Sequence, residues 1–103
     1  MDILVRIKKL VLEDFVRYTA KAVMEMDSDG LTELDVKEAI VSANSLRKVV
    51  RSTSSRRIRE KEKLYIIVGV NFGGIPIYTK GTIRKGLDHK EYLYIFISSK
   101  RCQ

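Results

Sequence analysis

The sequence predicts an α+β domain, in which two to three N-terminal helices pack on one face of an antiparallel sheet of about four strands. Apolar residues recur at three- and four-residue steps early in the chain, and β-branched runs separated by turn signals follow. Helices followed by hairpin-connected strands favour this class. With 103 residues, 45% of them hydrophobic, we expect a single domain, helical over 1–44 and β-sheet over 45–103.

Three helices are predicted in the first part. Ile3, Ile7 and Val11 mark the apolar side of the first. Thr19 is a candidate N-cap of the second, which Gly30 would end. Thr32, followed three residues later by an aspartate, resembles a capping box and predicts a third helix that ends near residue 44.

Strand-like runs dominate the second part. A charged connector over 54–62 and turns at 72–74 and 84–90 separate them. The second run is almost continuously apolar, which is typical of a central strand. The predicted strands cover 46–53, 63–71, 75–83 and 91–100.

Charge is distributed unevenly along the chain, whose net charge is +7. Residues 1–44 hold six Lys/Arg against nine Asp/Glu, a net −3, whereas residues 45–103 hold fourteen against four, a net +10. A one-sided positive field attracts phosphate polymers, so the second half predicts contact with a polyanion, RNA above all. A solubilising charged face is the alternative interpretation.

Cysteine and histidine content argues against a metal or cofactor site. Cys102 stands alone near the C-terminus, and the sole histidine, His89, falls in a predicted turn. No apolar stretch approaches the roughly 20 residues that a membrane helix needs. We therefore expect a cytoplasmic protein that needs no metal, no cofactor and no membrane.

Alternation in the last strand predicts two unlike faces. Leu93, Ile95 and Ile97 are expected to pack under the helices. The opposite face would carry rings and cations suited to unpaired RNA, because bases stack on rings while cations bind phosphates. Its members would be Tyr92, Tyr94, Phe96, Ser98 and Lys100, with Tyr78 and Lys80 from the preceding strand. Tyr94 and Phe96 could equally fill an apolar layer.

Metal-free RNA cleavage is a chemistry open to these residues. It needs a proton acceptor for the ribose 2′-OH, cations for the charged phosphorane and a donor for the leaving 5′-oxygen. Lysine and tyrosine can supply these functions. The candidate cluster on adjacent strands is Lys48, Arg51, Tyr78, Lys80 and Lys100.

Several local motifs resemble the RelE-like ribonuclease toxins, nearest to the MqsR group and the BrnT-like and DUF4258-type families. The similar segments are Leu46-Arg-Lys-Val-Val-Arg-Ser-Thr-Ser, Ile77-Tyr-Thr-Lys-Gly-Thr-Ile and Phe96-Ile-Ser-Ser-Lys-Arg. The resemblance implies a RelE-like fold, an mRNA interferase activity and a cognate antitoxin protein as partner. Lys21 stands where the DUF4258-type pattern usually has a histidine.

The resemblance also implies roles for individual residues. It makes Lys48, Tyr78 and Lys100 the catalytic residues of a metal-independent endoribonuclease that cuts single-stranded mRNA. Positive charge in the second half, rather than the resemblance, predicts the substrate-binding residues Arg51, Arg56, Arg57, Lys63, Lys80 and Arg101. Two other functions stay open: a non-catalytic RNA- or DNA-binding domain of the same fold, and a protein-interaction domain with an acidic partner.

Overall fold

The computed structural model describes residues 2–51, 62–88 and 90–102, and within them the chain forms three helices and five strands. The predicted α+β class is confirmed, with a sheet that is mostly antiparallel. The elements are α1 (Ile3–Leu12), β1 (Val16–Tyr18), α2 (Ala20–Asp29), α3 (Glu33–Ser42), β2 (Lys48–Arg51), β3 (Lys63–Val70), β4 (Pro76–Lys85) and β5 (Tyr92–Arg101).

The helix boundaries follow the capping signals of the sequence. The Thr19 hydroxyl accepts a hydrogen bond from the backbone of Ala22 at the start of α2. Gly30 ends this helix in the left-handed conformation, with φ of 70°, which glycine adopts without steric cost. Thr32 and Asp35 form a reciprocal capping box at the start of α3.

The sheet has the strand order β1-β5-β4-β3-β2. All neighbours pair in antiparallel fashion except β1, which pairs in parallel with β5. The prediction of about four antiparallel strands therefore missed β1. This strand has only three residues, too few for an alternating pattern, and its pairing with the far end of the chain has no local signal.

The core lies between the sheet and all three helices. Ile7 from α1, Ile40 from α3 and Ile67 from β3 are fully buried in one cluster. The α3 helix approaches β3 so closely that a Cβ atom at Gly69 would lie 1.8 Å from the carbonyl oxygen of Ala39. Glycine at this position is therefore what lets the helix rest on the strand.

The predicted assignment of the two β5 faces is inverted, and the alternative in which Tyr94 and Phe96 fill an apolar layer is the one observed. Tyr94 and Phe96 are fully buried in the core cluster, with their rings 5.0 Å apart in an edge-to-face arrangement, whereas Leu93, Ile95 and Ile97 are not part of that cluster. The aromatic rings therefore face the helices, of which α2 and α1 pack against β5. They pack there because their large apolar surfaces gain most from burial.

An irregularity in the β4–β5 pairing explains why Lys100 does not lie on the same face of the sheet as Tyr94 and Phe96. Lys80 pairs with Ser98, but Gly81 pairs with Phe96, so β5 has one extra residue at this point. A bulge of this kind shifts the alternation of the strand beyond it. Ser99 is consequently buried and Lys100 exposed, on the face opposite to Phe96.

The α2 helix runs along the edge of β5 beyond the end of β1. The Glu25 carboxylate accepts hydrogen bonds from the Ser98 hydroxyl and the Ser99 backbone, and Asp29 accepts one from the backbone of Arg101. These contacts pair strand-edge N–H groups that would otherwise stay open. The sheet is thus flanked by α2 at this edge.

Some predicted features fall outside the described residues, namely His89, the connector before Glu62 and the end of the first predicted strand. No helix in the described ranges is long and apolar enough to cross a membrane.

Candidate nucleic-acid interface

The outer face of the sheet, which is the face turned away from α1 and α3, carries four of the predicted site residues. Tyr78 pairs with Lys100 of β5, and Lys80 pairs with Ile66, which in turn pairs with Lys48 of β2. Residues directly opposite each other on paired strands share a face. The register therefore brings Lys48, Tyr78, Lys80 and Lys100 to one side.

Spacing within this face separates the four residues into a pair and two flanking lysines. The Lys100 Nζ lies 5.5 Å from the centroid of the Tyr78 ring, a cation–π contact. Lys48 and Lys80 are two strands apart, which is about 10 Å between backbones. Tyr78 and Lys100 thus form a compact unit, with Lys80 beside it and Lys48 further away.

A groove of about 1000 Å³ opens around Tyr78 and Lys100. The exposed side of α2 forms one wall, the end of β5 another, and the residue before β2 reaches in from across the sheet. The lining residues are Lys21, Met24, Glu25, Ser28, Asp29, Arg47, Tyr78, Lys100, Arg101 and Cys102.

Positive charge dominates this groove. Four lining side chains are cations and two are carboxylates, and both carboxylates accept hydrogen bonds from the edge of β5. Arg101 donates from its Nε to the backbone oxygen of Asp29, which fixes the guanidinium at the rim. A cationic concave surface of this size concentrates field lines and attracts a phosphate backbone.

Other predicted site residues lie elsewhere. Arg51 pairs with Lys63, next to the pair of Val49 and Tyr65, in the register that places them on the side of α1 and α3. The structure therefore does not bring Arg51 and Lys63 together with Tyr78. Arg56 and Arg57 lie outside the described residues. Lys48 and Lys80 share the outer face but do not line the groove.

The sequence predicted a role for only three of the ten groove residues and gave none to Lys21, Glu25 and Arg47. Lys21, Glu25 and Asp29 follow each other at four-residue steps, which places them on one side of α2. That spacing is visible in the sequence, but the position of α2 beside β5 is not. Arg47 lies just before β2, outside the alternating pattern, so the sequence does not predict which face of the sheet its side chain joins.

Most of the remaining outer face is aliphatic. Its side chains are half-buried and belong neither to the core cluster nor to the residues packed against it. This aliphatic strip contains Leu64, Ile66, Val68, Leu93, Ile95 and Ile97. Nucleobases stack on aromatic rings. Among the described strands, Tyr78 is the aromatic residue that lies on the outer face and could stack with a base.

An ion pair closes the far end of the outer face. Arg84 donates two hydrogen bonds to the Glu62 carboxylate, at 2.8 and 2.9 Å. These bonds raise the pKa of Arg84 above its ordinary value and neutralise its charge locally. Arg84 therefore adds little positive charge to this end of the outer face.

Metal chemistry has no ligand set in the part of the chain that the structure describes. No group of three or more His, Cys, Asp or Glu side chains there could hold an ion. The groove residues offer ammonium, guanidinium, carboxylate and phenol groups.

Comparisons with protein-family models, curated proteins and solved structures gave no match to this chain.

Proposed function

We propose that the groove binds single-stranded RNA and cleaves it without a metal ion, as a RelE-like toxin endoribonuclease does. The observation that supports this most is the pairing of Tyr78 with Lys100 at the floor of a groove rimmed by cations. A nucleobase would stack near Tyr78 while the groove cations hold the flanking phosphates. The fold class is compatible with this proposal.

The reaction is a transesterification within the RNA strand. The ribose 2′-oxygen loses its proton and attacks the adjacent phosphorus, and the bond from phosphorus to the 5′-oxygen breaks. The products are a 2′,3′-cyclic phosphate and a 5′-hydroxyl, so no water is consumed. Arg47 and Arg101 would stabilise the charge that develops on the phosphorane, and Lys100 would give a proton to the leaving 5′-oxygen.

Tyr78 has a positioning function in this mechanism as well as a stacking one. The ring holds Lys100 through the cation–π contact. Its hydroxyl donates a hydrogen bond to a non-bridging phosphate oxygen. Tyr94 cannot replace it, because its hydroxyl is buried on the other side of the sheet and burial raises its pKa. Lys48 and Lys80 would contact phosphates beyond the scissile one.

The test is a cleavage assay with purified protein, a long mRNA and EDTA in excess. We expect cleavage by the wild type, and losses of about 100-fold or more for Tyr78→Phe and Lys100→Ala. Lys48→Ala should weaken binding more than the chemical step. Lys9→Ala removes the same charge from the exposed side of α1 and should leave the rate unchanged. Wild-type inactivity, or full activity of Tyr78→Phe and Lys100→Ala, would refute the mechanism.

The aliphatic strip favours a second candidate function, the binding of an acidic protein partner. Apolar side chains of such a partner would cover the strip, and its carboxylates would meet Lys48 and Lys80 at its border. A cognate antitoxin is one partner with this chemistry. RNA binding measured at low and high salt distinguishes the candidates, because negligible affinity at low salt would leave the protein partner as the sole proposal.

A further inference from the structure

Glu25 occupies an unusual position for an acidic residue in a cationic groove. It is half-buried on α2 and lines the groove together with Tyr78 and Lys100. Its Oε1 accepts hydrogen bonds from the Ser98 hydroxyl at 2.7 Å and from the Ser99 backbone at 3.1 Å. The carboxylate is therefore held at a fixed place.

The second carboxylate oxygen is left for another partner. Among the described residues, Oε2 of Glu25 has no hydrogen bond, and the neighbouring carboxylate of Asp29 is bound to the backbone of Arg101. The two hydrogen bonds to Oε1 fix the orientation of Oε2. Such preorganisation holds a proton acceptor in place before the substrate binds. The contacts of Glu25 with β5 therefore use only one of its two carboxylate oxygens.

We propose that Glu25 is the general base of the cleavage reaction, a role that rests on the proposed function. Oε2 takes the proton from the ribose 2′-hydroxyl as the 2′-oxygen bonds to phosphorus. Lys100 then protonates the leaving 5′-oxygen, so the two proton transfers balance. A proton acceptor and a cationic donor at one groove are the pair that this chemistry requires. The substrate must then carry a 2′-hydroxyl, which makes the enzyme specific for RNA over DNA.

Glu25→Gln tests the proposal with little change of shape. The amide oxygen can still accept from Ser98 and Ser99, whereas the amide nitrogen cannot take a proton. We expect single-turnover cleavage to fall by about 100-fold or more, with RNA affinity and thermal stability close to those of the wild type. Glu38→Gln is the matched control, because Glu38 accepts a backbone hydrogen bond from Phe72 and does not line the groove.

Glu25→Ala gives a second, independent readout. Added acetate should restore part of its cleavage rate, since a free carboxylate can enter the space left by the side chain and act as the base. A structural cap would gain nothing from acetate. A wild type that cleaves, combined with a Glu25→Gln variant of equal rate, would overturn the role of Glu25 and leave the proposed function standing. Unfolding of both variants at the assay temperature would also count against it, whereas an inactive wild type would refute both proposals.

Discussion

The salt dependence of RNA binding gives a quantitative prediction from the groove. The groove holds four cations, Lys21, Arg47, Lys100 and Arg101. For single strands the logarithm of the affinity falls by about 0.7 per decade of salt for each phosphate neutralised. An oligonucleotide too short to reach Lys48 and Lys80 makes only these four contacts. They predict a slope of about −2.8, which is an affinity loss of about 50-fold between about 50 mM and about 200 mM salt.

Removal of one groove cation should make this negative slope shallower by a predictable amount. Lys100→Ala leaves three contacts, so we expect a slope of about −2.1 and a loss of about 18-fold over the same range. Fluorescence anisotropy with a labelled 2′-O-methyl RNA oligonucleotide measures the affinities. Methylation blocks the attacking hydroxyl, so cleavage cannot disturb the equilibrium.

Lys9→Ala is the control, because it removes one positive charge from the exposed side of α1, away from the groove. Its slope should match that of the wild type. Equal slopes for the wild type and Lys100→Ala would refute the assignment of phosphate contacts to the groove. A change of the same size in Lys9→Ala would show that the slope reports overall charge rather than the groove.

Two further predictions concern the scaffold that positions the groove. Gly69→Ala should lower the free energy of unfolding by about 3 kcal/mol or more in urea titration, because the added Cβ collides with the backbone of α3. Gly73→Ala, whose Cβ would meet only side-chain atoms of Asn71, the nearest at 3.4 Å, should change this free energy far less. Equal losses for the two variants would show that close packing at Gly69 is not the cause. The backbone N–H of Thr32 is the main reason that the pKa of Asp35 is lowered. The stabilisation is therefore present at neutral pH and is lost as the pH falls through that lowered pKa. Asp35→Asn should accordingly flatten the acid side of a stability-against-pH curve, and parallel curves for the two proteins would contradict this.

The helices could be predicted because their signals are local. Thr19, Gly30 and Thr32 act through hydrogen bonds and backbone angles within a few residues, so the sequence alone places the helix ends. The α+β class followed from the same kind of local evidence, since the period of the apolar residues changes after residue 44.

The outer face could be predicted only in part, because it depends on contacts between distant segments. Alternation placed Tyr78 and Lys80 together, as the register has them. The face of Tyr94 and Phe96 was predicted wrongly, because alternation divides the side chains of a strand between two faces but does not show which face packs against the helices. The bulge in β5 then separates Lys100 from these two rings. Side chains of α2 line the groove because this helix packs against the edge of β5, and no local signal in the sequence indicates that packing.

A map of the RNA contact surface tests most directly whether the groove binds RNA. Two-dimensional NMR spectra of ¹⁵N-labelled protein, titrated with uncleavable 2′-O-methyl RNA, report which backbone amides change environment. We predict shifts at Arg47, Tyr78 and Lys100, with the amides around Ile7 in α1 unchanged. Shifts confined to α1 and α3, or no shifts at low salt, would contradict the proposal that this groove binds RNA.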